Sequence, residues 1–109
     1  MRVGIDIVSV DRIRDVVRKW GDRFLLRVFS QKELDIAKER RGSLFYQYLA
    51  GRFAVKEAII KTLDESVPLK EISVSRERSG RPVVLFPKGD FEVSISHTKE
   101  YAVAVCIRK

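Results

Sequence analysis

Cysteine, histidine and proline are scarce in this chain, and each scarcity excludes something. A single cysteine, Cys106, stands among 109 residues, so no disulfide can form within the chain. It lies in the apolar run Tyr101–Ile107, where a buried thiol in a reducing compartment is the expectation. A reactive thiol would want an exposed, electropositive setting instead. One cysteine and one histidine, His97, cannot supply the ligands of a tetrahedral zinc site. With only three prolines, long helices and strands can run uninterrupted. No stretch approaches the ~20 apolar residues of a membrane span. Met1–Asp6 does not read as a signal peptide, because its apolar run is short and Asp6 interrupts it. There is no Walker A motif, no G-x-G-x-x-G fingerprint, no internal repeat and no low-complexity tract.

Charge is what the chain has in quantity. Lys and Arg number 22 against 15 Asp and Glu, a formal net charge of +7. Such a balance predicts an anionic partner: nucleic acid, a phosphorylated cofactor, an acidic protein or an anionic membrane surface. Hydrophobic residues at 45% exclude disorder as the default. The length predicts one domain, residues 1–109, with little room for a deep private cleft. An enzyme of this size acting on a large cofactor is expected to share its site between subunits.

Alternation predicts a strand over Val3–Val8, with Asp6 on the face opposite Val3, Ile5 and Ile7. Asp is depleted in strands, so Asp6 needs a reason. Ile13, Val16, Val17 and Trp20 mark the apolar face of a helix over Asp11–Trp20, capped or started by Asp11 and ended by Gly21. Asp22–Phe29 reads as a second short helix or turn. Ser30-Gln31-Lys32-Glu33 is a capping box opening a helix to about Glu39. Ser43 is expected to cap a long amphipathic helix running from Leu44 to about Leu63. Strands follow over Glu71–Arg76, Pro82–Phe86, Phe91–Ser96 and Tyr101–Ile107. The fold class is therefore α+β, helices packed on a mainly antiparallel sheet.

Four features carry chemistry. Asp6 lies within a strand and His97 at a strand end, and Gly80-Arg81-Pro82 forms a turn. On the long helix, Arg52 and Lys56 are four apart, as are Glu57 and Lys61, so each pair shares a face. An ordinary solvated ion pair accounts for that helix taken alone. Asp6 and Glu57 are the best metal pair, because magnesium takes hard oxygen ligands and commonly uses one or two carboxylates plus substrate phosphates. The run Ser94–Lys99 groups hydroxyls, imidazole and ammonium that can bond a phosphate.

Three blocks together resemble a family. Gly4-Ile5-Asp6-Ile7-Val8, Gly51-Arg52-Phe53-Ala54-Val55-Lys56-Glu57-Ala58 and Ser94-Ile95-Ser96-His97-Thr98-Lys99-Glu100-Tyr101-Ala102 are similar, in order and spacing, to the short bacterial 4′-phosphopantetheinyl transferases, the holo-acyl-carrier-protein synthases. The block Arg27–Leu34 fits as well. The resemblance implies a homotrimeric, cytoplasmic, magnesium-dependent enzyme of fatty acid biosynthesis with its sites at subunit boundaries. It implies transfer of phosphopantetheine from coenzyme A to a serine of apo acyl carrier protein, releasing adenosine 3′,5′-bisphosphate. It makes Asp6 and Glu57 metal ligands, and Glu57 or a metal-bound water the base. Lys61 becomes the residue that steadies the pyrophosphate. Coenzyme A contacts are implied for His97, Thr98 and Lys99, for Arg52 and Lys56, and for the Gly80-Arg81-Pro82 turn. Arg12, Arg23, Phe24 and Arg27 become the docking residues for the acidic carrier protein.

Two departures stand out. Asp64-Glu65-Ser66-Val67-Pro68 lacks the glycines that usually follow the family's long helix, and Arg81 replaces a lysine, keeping the charge but presenting a planar fork. Two readings compete: a catalytically inactive relative that only binds carrier protein, against which the joint presence of Asp6, Glu57, Lys61 and His97 argues, and a nucleic-acid-binding module. The basic residues do not interleave with exposed aromatics, and no nucleic-acid motif is present, so neither nucleic acid nor membrane is expected as a partner.

Overall fold

Local chemistry sets the ends of most elements. In a computed structural model describing residues 1–109, strand β1 (Arg2–Ser9) leads into helix α1 (Val10–Trp20). Ser9 caps that helix, its hydroxyl accepting from the Arg12 amide at 3.2 Å, so Asp11 lies inside the first turn and is not the cap. Gly21, at φ 53°, separates α1 from α2 (Asp22–Val28). The capping box at Ser30 forms as expected and opens α3 (Gln31–Lys38), with both reciprocal hydrogen bonds made.

The long helix α4 (Ser43–Ile60) departs from expectation twice. Gly42, at φ 56°, precedes it, and Ser43 is its first residue, with no side-chain cap. It is also not an amphipathic surface helix. From Gln47 to Ile59 it is buried on nearly every side, Phe53 and Glu57 being the partly exposed exceptions. One side packs on the sheet and another on α1 and α3. The small residues Ala50, Gly51, Ala54 and Ala58 allow this, and the two charges on the buried faces are satisfied internally. The Lys56 ammonium donates to Glu33 Oε1 at 2.6 Å and to the Val28 carbonyl at 2.9 Å, while the Arg52 guanidinium reaches the Val74 carbonyl at 3.4 Å.

Beyond α4, a single turn of 3-10 helix (Leu69–Glu71) precedes β2 (Ser73–Arg76), β3 (Pro82–Phe86), β4 (Phe91–His97) and β5 (Tyr101–Arg108). All pairings are antiparallel, but they make two sheets: β1–β5–β4, and the hairpin β2–β3, which lies against β4. The glycine-free segment after α4 is tied down by charge. Asp64 bridges Arg2 at 2.5 Å and Arg108 at 3.3 Å, at the ends of the paired strands β1 and β5.

Asp6 lies on the face predicted for it. Gly4, Asp6 and Val8 point toward α4, along with Ala102, Ala104 and Cys106 of β5. The opposite face is apolar and open: Val3, Ile5 and Ile7 are 58–66% exposed, with Tyr101 and Val103 beside them. On the inner face β1 comes so close to α4 that a Cβ on Gly4 would stand 1.9 Å from the Ala58 carbonyl oxygen. Gly4→Ala must push the strand off the helix. It is expected to lower the unfolding free energy in urea by about 1–3 kcal/mol, the usual cost of overpacking, and wild-type stability in that variant would refute the close approach.

Candidate active site

The contact at Gly4 brings β1 alongside the C-terminal half of α4, and with it Asp6 alongside Glu57. Both carboxylates line a cleft of about 580 Å³ whose other walls come from β1, α1, α2 and Tyr101, including Arg12, Ile13, Val16, Phe24 and Phe53. Glu57 shows the consequence. Its carboxyl is raised from the ordinary value, first by burial and then by the negative charge of Asp6, with Lys61 pulling the other way. The Lys61 ammonium donates to the Ile5 carbonyl at 2.7 Å and lies 3.4 Å from Asp6 Oδ1. The Glu57–Lys61 pair of the sequence is therefore a three-membered group, two acids and one base, at the junction of strand and helix.

No third histidine, cysteine or carboxylate joins Asp6 and Glu57 to make a closed metal cage. Two adjacent carboxylates on an open cleft suit a hard divalent cation that completes its shell with water and phosphate oxygens. They do not suit a tetrahedral metal with nitrogen and sulfur ligands.

His97 stands elsewhere. Its Nδ1 is 3.0 Å from Gln47 Oε1, and it lines a second cavity with Arg40, Gly51, Arg52 and Arg76. The two cavities share no lining residue, although both are built on α4. Three arginines meet in this basic groove without a carboxylate partner. Arg40 and Arg52 flank the Tyr48 ring, with guanidinium carbons 4.5 and 5.3 Å from its centroid. Burial raises the Tyr48 phenol, against the pull of Arg52. Its hydroxyl is buried without a hydrogen-bond partner.

The remaining expected residues divide. Thr98 and Lys99 lie in the exposed β4–β5 turn, where the Thr98 hydroxyl accepts from the Glu100 and Tyr101 amides at 3.2 and 3.1 Å. Gly80 and Arg81 lie in the β2–β3 turn and Pro82 opens β3, and Arg81 pairs with Glu92 at 2.7 Å. Arg12 lines the carboxylate cleft, while Arg23, Phe24 and Arg27 line a neighbouring one.

Lys56 is a correction. Its side chain is 0% exposed, and burial lowers its ammonium from the ordinary value against the pull of Glu33. It faces α2 and α3 and offers nothing to a phosphate. The helical spacing pairs Lys56 with Arg52 but cannot say that α3 covers that face. Sequence reasoning missed Arg40, Gln47, Tyr48 and Arg76. They belong to three separate segments, and only the packing of β2 beside α3 and α4 collects them.

Known proteins share this chain's sequence pattern and fold over nearly its whole length. The model of the 4′-phosphopantetheinyl transferase superfamily matches residues 2–106. A holo-[acyl-carrier-protein] synthase of Thermodesulfovibrio yellowstonii is 40% identical, covering 96% of this chain and 95% of its own. One from Halothermothrix orenii is 37% identical, covering 96% and 94%. Among solved structures, the Bacillus anthracis holo-(acyl-carrier-protein) synthase in complex with CoA (3′,5′-ADP) superposes with a TM-score of 0.85 at 34% identity, over 95% of this chain and 91% of that one. The Helicobacter pylori synthase in complex with coenzyme A also gives 0.85, at 29% identity, over 99% and 100%.

The raised Glu57 carboxyl has a sign that can be measured. Between the ordinary carboxylate range and its raised value, the folded chain holds this proton more tightly than the unfolded chain, so stability falls as pH rises through that window. In metal-free protein, Glu57→Gln is expected to raise the melting temperature at neutral pH. The gap should close under acid, where Glu57 is protonated in both states. A lower melting temperature, or a gap that does not change with pH, would contradict the geometry.

Proposed function

The chain belongs to the 4′-phosphopantetheinyl transferase superfamily, and we infer that it works as a holo-acyl-carrier-protein synthase. It transfers 4′-phosphopantetheine from coenzyme A to a serine of apo acyl carrier protein and releases adenosine 3′,5′-bisphosphate. The observation that carries this reading is the meeting of Asp6 and Glu57 on one cleft, with Lys61 at its edge and a basic docking surface beside it.

Phosphoryl transfer of this kind is catalysed mainly by positioning and charge stabilisation. Asp6 and Glu57 would hold magnesium, which when bound neutralises charge on the pyrophosphate of coenzyme A. Glu57, its carboxyl raised by burial and by the neighbouring Asp6 charge, is the residue we assign as base for the carrier serine hydroxyl. The serine oxygen bonds to the phosphorus bearing the pantetheine arm. The bond from that phosphorus to the bridging oxygen breaks, and the adenosine bisphosphate departs with the electron pair. Lys61, anchored by the Ile5 carbonyl, offsets the charge left on that oxygen. Arg12, Arg23, Phe24 and Arg27 receive the acidic carrier protein, and complementary potentials speed the encounter.

The basic groove of Arg52 and His97 suits the phosphates of coenzyme A, and we assign Thr98 and Lys99, which follow His97 in the chain, and the Gly80-Arg81-Pro82 turn as further contacts. Since that groove and the carboxylate cleft share no lining residue, we propose that two chains compose each site, within a homotrimer. The open apolar face of Val3, Ile5, Ile7 and Val103 supports this assembly, because a patch so continuous is characteristic of an interface.

Incubation with coenzyme A, magnesium and apo carrier protein should add the mass of phosphopantetheine to the carrier, and Glu57→Gln should abolish the gain. No gain with the wild-type chain under varied conditions would overturn the reading. Light scattering should give three times the 12.6 kDa of one chain. Ile5→Asp should reduce this to a single chain and remove transfer, whereas an active monomer would refute the shared site.

A further inference from the structure

Trp20 is the only tryptophan of the chain, and the apolar face of α1 would be expected to bury it. It is 47% exposed instead. It ends α1 and lines a surface cleft of about 370 Å³ with Val16, Arg23, Phe24 and Arg27. Val16 and Phe24 also line the carboxylate cleft, so the two clefts adjoin. The indole is flanked by cations: Lys19 Nζ lies 5.3 Å from the ring centroid and the Arg23 guanidinium carbon 5.5 Å. Lys19, Arg23 and Arg27 are absent from every ion pair in the chain, and no carboxylate lines this cleft.

Resting on the function proposed above, we propose that Trp20 is the apolar anchor on which the acidic carrier protein seats an amphipathic helix. Two features of the cleft define its occupant. Unpaired cations on an exposed surface call for carboxylates, and an aromatic floor calls for an apolar side chain. An acidic amphipathic helix presents both, and it can lie along α1. Arg12, at the carboxylate cleft, and Trp20 are eight residues apart, about 12 Å along the helix. A partner whose reactive hydroxyl is at Glu57 therefore reaches the indole about two turns further on. Tryptophan and arginine together in a pocket ringed by polar groups are the composition of an interface hot spot. The cation contacts hold the ring in place before the partner arrives, which lowers the ordering cost of binding.

Because Trp20 is the only indole, it reports on its own role. Adding apo carrier protein to the wild-type chain, without coenzyme A, should shift its emission to the blue or quench it. Trp20→Ala should raise the KM for carrier protein roughly ten-fold, the scale of a hot-spot truncation. The KM for coenzyme A and the kcat at saturating carrier should stay at wild-type values. Trp20→Phe should recover most of the loss, and both variants should melt near the wild type. A KM for carrier protein unchanged in Trp20→Ala would overturn the anchor while leaving the transferase reading intact. So would emission that responds to anionic phospholipid vesicles and not to carrier protein. Absence of transfer by the wild type would overturn both.

Discussion

The contact between the β1 backbone and α4 at Gly4 sets the geometry of everything that follows. Two acids must be held close together to make a site for a divalent cation, and the chain has no reason to bring them together locally, since Asp6 and Glu57 are far apart in sequence. The sheet face of β1 accomplishes it. With only hydrogen on Gly4, the strand settles against the Ala58 carbonyl, and the neighbouring inward residue on the strand is Asp6. Lys61 completes the arrangement from just past the helix end, bonding the Ile5 carbonyl and neutralising part of the charge that the two acids share.

Helix α4 bears two kinds of charge for opposite reasons. Lys56 is buried and paired with Glu33, so it joins α4 to α3 and to the end of α2. Removing either partner would leave a buried charge uncompensated, which is far costlier than losing a surface pair. Glu57, one residue on, faces a cleft and is destabilised there. The rigid seat of the first residue lets the second keep an unfavourable position, an arrangement typical of functional sites.

The molecule also leaves surfaces unsatisfied. Val3, Ile5 and Ile7 are apolar and open, Arg40 and Arg52 flank Tyr48 without an ion-pair partner, and Trp20 stands between cations at the end of α1. In the proposed function these surfaces are assigned to three classes of partner: another copy of the chain, a phosphorylated small molecule and an acidic protein. A small domain that must handle a large cofactor and a protein substrate has few surfaces left for solvent alone.

Much of this was legible in the sequence. Alternation placed Asp6 on the inner face of β1 and left Val3, Ile5 and Ile7 on the outer one, because strand periodicity is a local property. The capping box at Ser30 and the stop at Gly21 were readable for the same reason. Motif spacing, through the family it resembles, named Glu57, Lys61 and His97. What spacing could not show is which face of a helix is covered, since that depends on elements distant in the chain. Lys56 and Arg52 look alike at four-residue spacing, yet α3 seals one into the core while the other remains on a groove that β2 and β4 help to wall. Only the tertiary structure separated the carboxylate cleft from the basic groove and turned Trp20 outward. Burial is decided by what packs against a residue, and that information is nonlocal.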